Sequence, residues 1–208
     1  MFAEKYLNAN CVISNHLVLK NGKTVFENKQ TDLHEFLLSA YNYFGLNYPK
    51  FYKMDNSSKL GWLTSEILLK DKFNAEKYRP DEIGLVLANA NSSLDTDLKY
   101  FETVKDIPSP SVFVYTLPNI MIGEICIRNN FKGENAFFVF NEFDADFMEQ
   151  YVSNLINNNI LQACIFGWVD LLKEDYKAVL FLVEKEKSEQ SCLFTQDNIN
   201  SIFKAIDG

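Results

Sequence analysis

Three kinds of side chain in this sequence could do covalent or acid–base chemistry. The four cysteines, Cys11, Cys126, Cys164 and Cys192, could supply a thiolate, the form of cysteine that attacks carbonyls and binds metals. They are scattered, with no C-x-x-C pair and no histidine at a zinc spacing, so they read as reduced, mostly buried thiols. His16 and His34, the two histidines, are expected at the surface or with satisfied hydrogen bonds, because a general base must lie within reach of the reacting group. Carboxylates cluster at Glu142, Asp144 and Asp146, and again at Asp95 and Asp97. Neither cluster has the glycine step and distal glutamate of a calcium loop, and both read as carboxylates at helix starts, where the macrodipole favours them. The Glu142 cluster could do acid–base work, but no group of opposite role accompanies it. There is no glycine-rich phosphate loop, and neither a metal nor a cofactor is expected.

The elements that must position these groups follow from periodicity and punctuation. Residues 16–19 and 24–27, joined across Asn21-Gly22, predict a β-hairpin, since Asn-Gly accepts the positive φ angles of a tight turn. Thr31 offers an N-cap to a helix whose apolar positions, Leu33, Phe36, Leu37, Ala40, Tyr41 and Phe44, recur at helical spacing up to Gly45. A second helix is expected over 57–70 on the period of Leu60, Leu63 and Ile67. Residues 83–88 form a short β-rich run between turn-formers and read as a buried parallel strand. Beyond it the pattern predicts a short helix to Phe101, a helix over 116–130 entered through Pro118, and an apolar strand over 136–140. A helix over 147–157, strands over 161–168 and 178–183, and a helix over 195–205 capped by Thr195 complete the chain. The fold class is therefore α/β: a mixed, mainly parallel sheet with helices on both faces. The last two strands are joined by a loop too short for a crossover and are expected to pair antiparallel.

The 208 residues, 47% apolar and 23% charged, exclude disordered, collagenous and disulfide-scaffold readings and are enough for a full core. A net charge of −8 opposes binding to nucleic acid or an anionic membrane surface. The N-terminus has no apolar signal core, and the longest clean apolar run, 178–183, is far below the roughly 20 residues of a membrane span. A cytoplasmic protein is expected.

The stretches Tyr48-Pro-Lys-Phe-Tyr-Lys-Met-Asp55, Ile83-Gly-Leu-Val-Leu-Ala-Asn-Ala, Ser109-Pro-Ser-Val-Phe-Val-Tyr-Thr-Leu-Pro-Asn119, Gly123-Glu-Ile and Phe131-Lys-Gly-Glu-Asn135 together resemble the N-terminal half of β-ketoacyl synthases, in the thiolase-like superfamily. The resemblance covers residues 48–184 and is greatest to the short stand-alone ketosynthase-like subunits of bacterial aryl-polyene and flexirubin-type pigment clusters. It implies one ketosynthase-like N-terminal domain over 1–208, with the hairpin and helix of residues 10–47 as an elaboration. In active relatives a strand runs from the Lys-Gly turn to a nucleophilic cysteine at a helix start, where helix-end amides favour the thiolate. The family's offset of nine residues from Gly133 falls on Glu142, whose carboxylate would give only a readily hydrolysed mixed anhydride. Ala163-Cys164-Ile165-Phe166-Gly167 imitates the Ala-Cys-x-x-Gly signature of the nucleophile, but it lies 31 residues past Gly133 in strand-like sequence, so Cys164 is read as a decoy in the core. The histidines that active relatives draw from a C-terminal repeat of the fold are expected to be missing.

What the resemblance implies is a catalytically inactive ketosynthase-like subunit that assists fatty-acid or polyketide-type biosynthesis, of the aryl-polyene or flexirubin kind, by dimerising with itself or with an active ketosynthase. Ala136, Phe137, Phe138, Val139 and Phe140 would be the strand that pairs across the dimer axis. The alternative is an acyl-transfer enzyme working on acyl-carrier-protein thioesters through Cys164 or the Glu142 cluster. Docking of acyl-carrier protein is a further possible role; carrier proteins are usually acidic, and Arg79 with Lys70, Lys72 and Lys77 is the basic patch that could meet one.

Overall fold

Runs rich in apolar, β-branched and aromatic residues become the strands of one mixed sheet of eight, which the computed structural model describes over residues 4–205. The strands are β1 (Tyr6–Ser14), β2 (Leu17–Lys20), β3 (Lys23–Glu27), β4 (Ile83–Asn89), β5 (Asn135–Val139), β6 (Ala163–Leu172), β7 (Asp175–Glu184) and β8 (Cys192–Leu193). The helices are α1 (Leu33–Tyr43), α2 (Asn56–Leu69), α3 (Leu94–Val104), α4 (Pro110–Phe113), α5 (Ile120–Asn129), α6 (Ala145–Asn157) and α7 (Gln196–Lys204). The strand order is β3-β2-β1-β7-β6-β4-β5, with β8 beside β1. β4 pairs in parallel with β5 and β6, while β7 runs antiparallel between β6 and β1. By direction β1, β3, β4, β5 and β6 point one way and β2, β7 and β8 the other, so the sheet is mixed, with its parallel part confined to β5, β4 and β6. Most neighbouring ladders are antiparallel, because β7 and β2 each sit between strands of the opposite sense.

Helices cover both faces. α1, α2 and α5 pack on one, around Phe36, Phe51, Trp62 and Leu63; α6 and α7 pack on the other, around Met148, Val152, Phe166, Phe181 and Ile199. Each such side chain, fully buried, is worth about 1.5–3 kcal/mol. The Asn21-Gly22 turn has φ angles of 50° and 74°, as a tight hairpin requires. Thr195 caps α7, accepting from the Asn198 amide at 3.3 Å.

Several boundaries differ from the sequence reading. The N-cap of α1 is Asp32, not Thr31: its carboxylate accepts from the Glu35 amide at 2.8 Å, while the Thr31 hydroxyl donates to the Asn28 carbonyl. The helix expected over 116–130 begins only at Ile120, since Leu117-Pro118-Asn119 breaks it from α4 and the following turn at an angle of 96°. The strand β1 has no counterpart in the periodic reading, because Asn8 and Asn10 interrupt its apolar pattern. No single helix among the described residues is long and apolar enough to cross a membrane.

Gly167 shows why β6 and β7 can pair over their whole length. Its φ of 150° and the 2.0 Å from a Cβ there to the Val179 carbonyl oxygen leave room for no side chain.

Candidate functional site

The carboxyl ends of β4, β5 and β6 lie at one end of the sheet, the usual place for ligand chemistry in a parallel α/β fold. After β5 the chain runs through Phe140, Asn141, Glu142 and Phe143 into Asp144, the N-cap of α6. Asp144 accepts from the Phe147 amide at 2.9 Å, and Asp146 accepts from the Gln150 side chain at 2.8 Å, so both serve as helix-start carboxylates. Glu142 is exposed, two residues ahead of the cap, beside a polar cleft of about 460 Å³ lined by Asn141, Asp144, Gln196 and Asn200. Asp146 lies in the first turn of α6 and Asp144 caps it, where the macrodipole favours carboxylates.

Cys164 lies inside β6, fully buried among Val86, Val152, Leu161 and Phe166. Burial pushes its thiol far above the ordinary thiol range, and the nearest acceptor is the Ile165 carbonyl at 3.5 Å. Burial likewise raises Cys11 to about 12 and Cys126 to about 11. His16 sits in the turn between β1 and β2, its ring edge-on to Phe36 and Tyr176, and its backbone amide donates to the Tyr176 hydroxyl at 2.9 Å. His34 is exposed on α1. None of these groups shares a cavity with Glu142.

β5 ends the sheet. The Leu85 amide donates to the Glu134 carbonyl at 3.2 Å and the Phe140 amide to the Asn89 carbonyl at 2.9 Å, so even-numbered residues turn their backbone groups toward β4. By alternation, Asn135, Phe137 and Val139 turn theirs outward. Ala136, Phe137, Phe138 and Phe140 are half-buried; Phe138 and Phe140 pack on Phe147 at 4.8 and 5.0 Å, and Val139 is 52% exposed. The expected strand thus lies one residue earlier, over 135–139. Exposed apolar side chains gather in the same part of the chain: Leu94, Leu98 and Phe101, at i, i+4 and i+7 of α3, face outward with Ile107, Phe113 and Leu117.

Sequence reasoning placed Asp95 at a helix start, where it lies in the first turn of α3, but missed the cross-sheet partners of Asp95 and the role of Asp170 at this end. Asp170, at the end of β6, accepts from the Ala90 and Asn91 amides at 3.1 and 3.0 Å and from the Asn91 side chain at 2.8 Å, fixing the loop after β4. Asp95 accepts from the Lys173 amide at 2.9 Å and pairs with Lys99 at 2.6 Å. The signal available was the Asn91–Asp95 cluster of turn-formers, which marked the loop but not its partner across the sheet. In the expected basic patch Arg79 pairs with Asp81 and Glu82, Lys77 pairs with Glu186, and the Lys70 ammonium donates to the Phe44 carbonyl, so part of its charge is neutralised within the chain.

No protein-family model matches the sequence, and no curated protein matches it. Solved structures do. A ketosynthase/chain length factor described for ishigamide superposes with a TM-score of 0.61 at 14% identity, covering 87% of this chain and 62% of that one. A type II polyketide synthase acyl-carrier protein complex with its ketosynthase gives 0.60 at 14% identity over 88% of this chain and 63% of that one. The fold is that of the ketosynthases. A ketosynthase in complex with its chain length factor from Xenorhabdus doucetiae has the ketosynthase fold at a TM-score of 0.55 and 11% identity, and there the match covers 90% of this chain and 81% of the other. Against the first two structures the chain spans less than two thirds of their length.

Proposed function

We propose that this chain is a ketosynthase-like subunit without its own acyl nucleophile, acting in the cytoplasm in fatty-acid or polyketide-type biosynthesis of the aryl-polyene or flexirubin kind. On this reading it is a single ketosynthase-like N-terminal domain, and residues 10–47 are an elaboration of it. Glu142 stands at the nucleophile position, and Cys164 is a core thiol. Association is the activity that remains, through β5, with a second copy or with an active ketosynthase; contact with acyl-carrier protein is secondary. The observation that carries this reading is the open edge of β5, where Asn135, Phe137 and Val139 turn unpaired backbone groups outward in an apolar strand. Such an edge invites strand pairing unless it is covered. The similarity to a structure of a ketosynthase in complex with its chain length factor supports it.

Light scattering on the eluting protein, alone and mixed with the ketosynthase encoded nearest to it, tests the proposal. A dimer, or a complex with that ketosynthase, is expected at micromolar concentration. Val139→Lys, which places a charge on the exposed edge without touching the core, should weaken association at least tenfold and leave the circular dichroism spectrum unchanged. A monomer in both preparations contradicts the reading.

A further inference from the structure

The opposite side of the sheet carries a second feature, independent of the proposed association. β8 pairs with β1 only at Tyr6 and Leu7, and β2 pairs with it only from Cys11 onward, so the edge of β1 between them is left open as a notch. A β-bulge between Leu7 and Ala9 falls at this gap. Bulges re-aim side chains and recur beside functional sites. The bulged Asn8 clamps the far rim: its side-chain amide donates to Glu184 at 2.6 Å and to the Glu186 carbonyl at 2.9 Å, and its oxygen accepts from the Ser188 amide at 3.2 Å. On the near side the Asn10 amide donates to the Asn21 side-chain oxygen at 2.9 Å, and the Asn21 amide donates to the Asn10 carbonyl at 3.0 Å. The hairpin tip is thereby fixed, and the Asn21 side-chain NH₂ group is left as a donor.

The cavity in this notch has a volume of about 380 Å³, within the range of small-molecule sites. Its polar lining is cationic and amide, with Asn8 and Asn10 on the strand side. Lys20, Lys23 and Lys72 contribute ammonium groups and Asn21 and Gln190 contribute amides, with no carboxylate among the lining residues, although the chain as a whole carries a net charge of −8. Lys20 is half-buried, and its ammonium donates to the Lys70 carbonyl. Desolvation lowers its affinity for a proton, and the charges of Lys72 and Lys70 add to that effect; Asp71, outside the lining, acts in the opposite sense. An adjoining groove of about 270 Å³ shares Asn21 and is walled by Val12, Leu19 and Ile202.

We propose that the notch binds a small amphipathic anion, its phosphate or carboxylate head among Lys20, Lys23 and Lys72 and its apolar portion along Val12, Leu19 and Ile202. The head replaces mutual repulsion among the ammonium groups with charge-assisted hydrogen bonds, and the tail covers apolar surface that the hairpin leaves open.

Titration of the full chain with n-octyl phosphate below its micellar concentration, at fixed ionic strength and read by amide chemical shifts, tests this. Saturable binding is expected, with shifts confined to residues 7–12, 19–25, 70–73 and 190–202, and at least tenfold tighter than for inorganic phosphate. n-Octanoate in place of the phosphate distinguishes a carboxylate head from a phosphate head. Lys23→Gln, at an exposed position that does not endanger folding, and Lys20→Gln should each weaken binding at least fivefold, while Lys132→Gln, remote from the notch, leaves it unchanged. Shifts spread over the exposed face of α3, equal losses in Lys132→Gln and Lys23→Gln, or no saturation would each overturn the proposal.

Discussion

A thiol becomes a nucleophile when its surroundings favour the thiolate, and the surroundings of Cys164 do the opposite. It is fully buried, has no basic neighbour at hydrogen-bond distance among the described residues, and is held well above the ordinary thiol range. Iodoacetamide at pH 8 should therefore modify the half-buried Cys126 and Cys192 before Cys164 or Cys11, as peptide mass mapping over time will show; early, selective labelling of Cys164 would revive a catalytic role for it. Cys11 gives a pH signature. Its pKa rises from 9.0 to about 12 in the folded protein because burial penalises the thiolate. A group raised in this way contributes its full stability below pH 9, and that stability is lost as pH climbs toward the folded value. Urea midpoints should fall between pH 9 and 11 by an amount corresponding to about 2–3 kcal/mol from this group, and Cys11→Ala should flatten that limb while lowering stability at pH 7. An equal slope in both proteins would contradict the assignment.

At the scale of elements, the pairing of β6 with β7 is the spine of the fold, running from Ala163↔Glu184 to Leu172↔Asp175. Gly167 sits within it at a φ that other residues rarely adopt, facing the β7 backbone. Gly167→Ala should cost at least about 3 kcal/mol, measured by denaturant unfolding, because both the backbone angle and the Val179 carbonyl oppose a methyl group. A loss below 1 kcal/mol would show that the two strands can part locally. Much of this level was legible in the sequence. The Asn21-Gly22 hairpin, the fully buried run of β4, the antiparallel closure of β6 on β7 and the Thr195 cap all rest on short-range signals that the structure repeats. β1 was not legible, because Asn8 and Asn10 look like loop residues until the rim of 184–188 and the hairpin tip arrive to bond them. The helix expected from Thr116 failed for a related reason: Pro118 marks a sharp bend between two helical segments rather than a helix entry. Asp170 and, beyond its local pair with Lys99, Asp95 bond partners about 80 positions away, a separation that periodicity does not see.

For the whole molecule, two sides of the sheet carry different surfaces. At one, the edge strand β5 presents backbone groups and apolar side chains; at the other, the notch beside β1 presents ammonium groups. The ketosynthase fold was readable from motif order although identity to the matching structures is only 11–14%. How far Glu142 and β5 carry functional meaning was less readable, since both depend on what lies opposite them. Residue-resolved hydrogen exchange of amides 135–140 at micromolar protein, with and without the ketosynthase, addresses the edge directly. If β5 is the pairing strand, the outward amides of Asn135, Phe137 and Val139 exchange as slowly in the associated state as the inward amides of Ala136, Phe138 and Phe140. Persistent alternation of fast odd and slow even positions, in every preparation, would mean that nothing pairs with this edge.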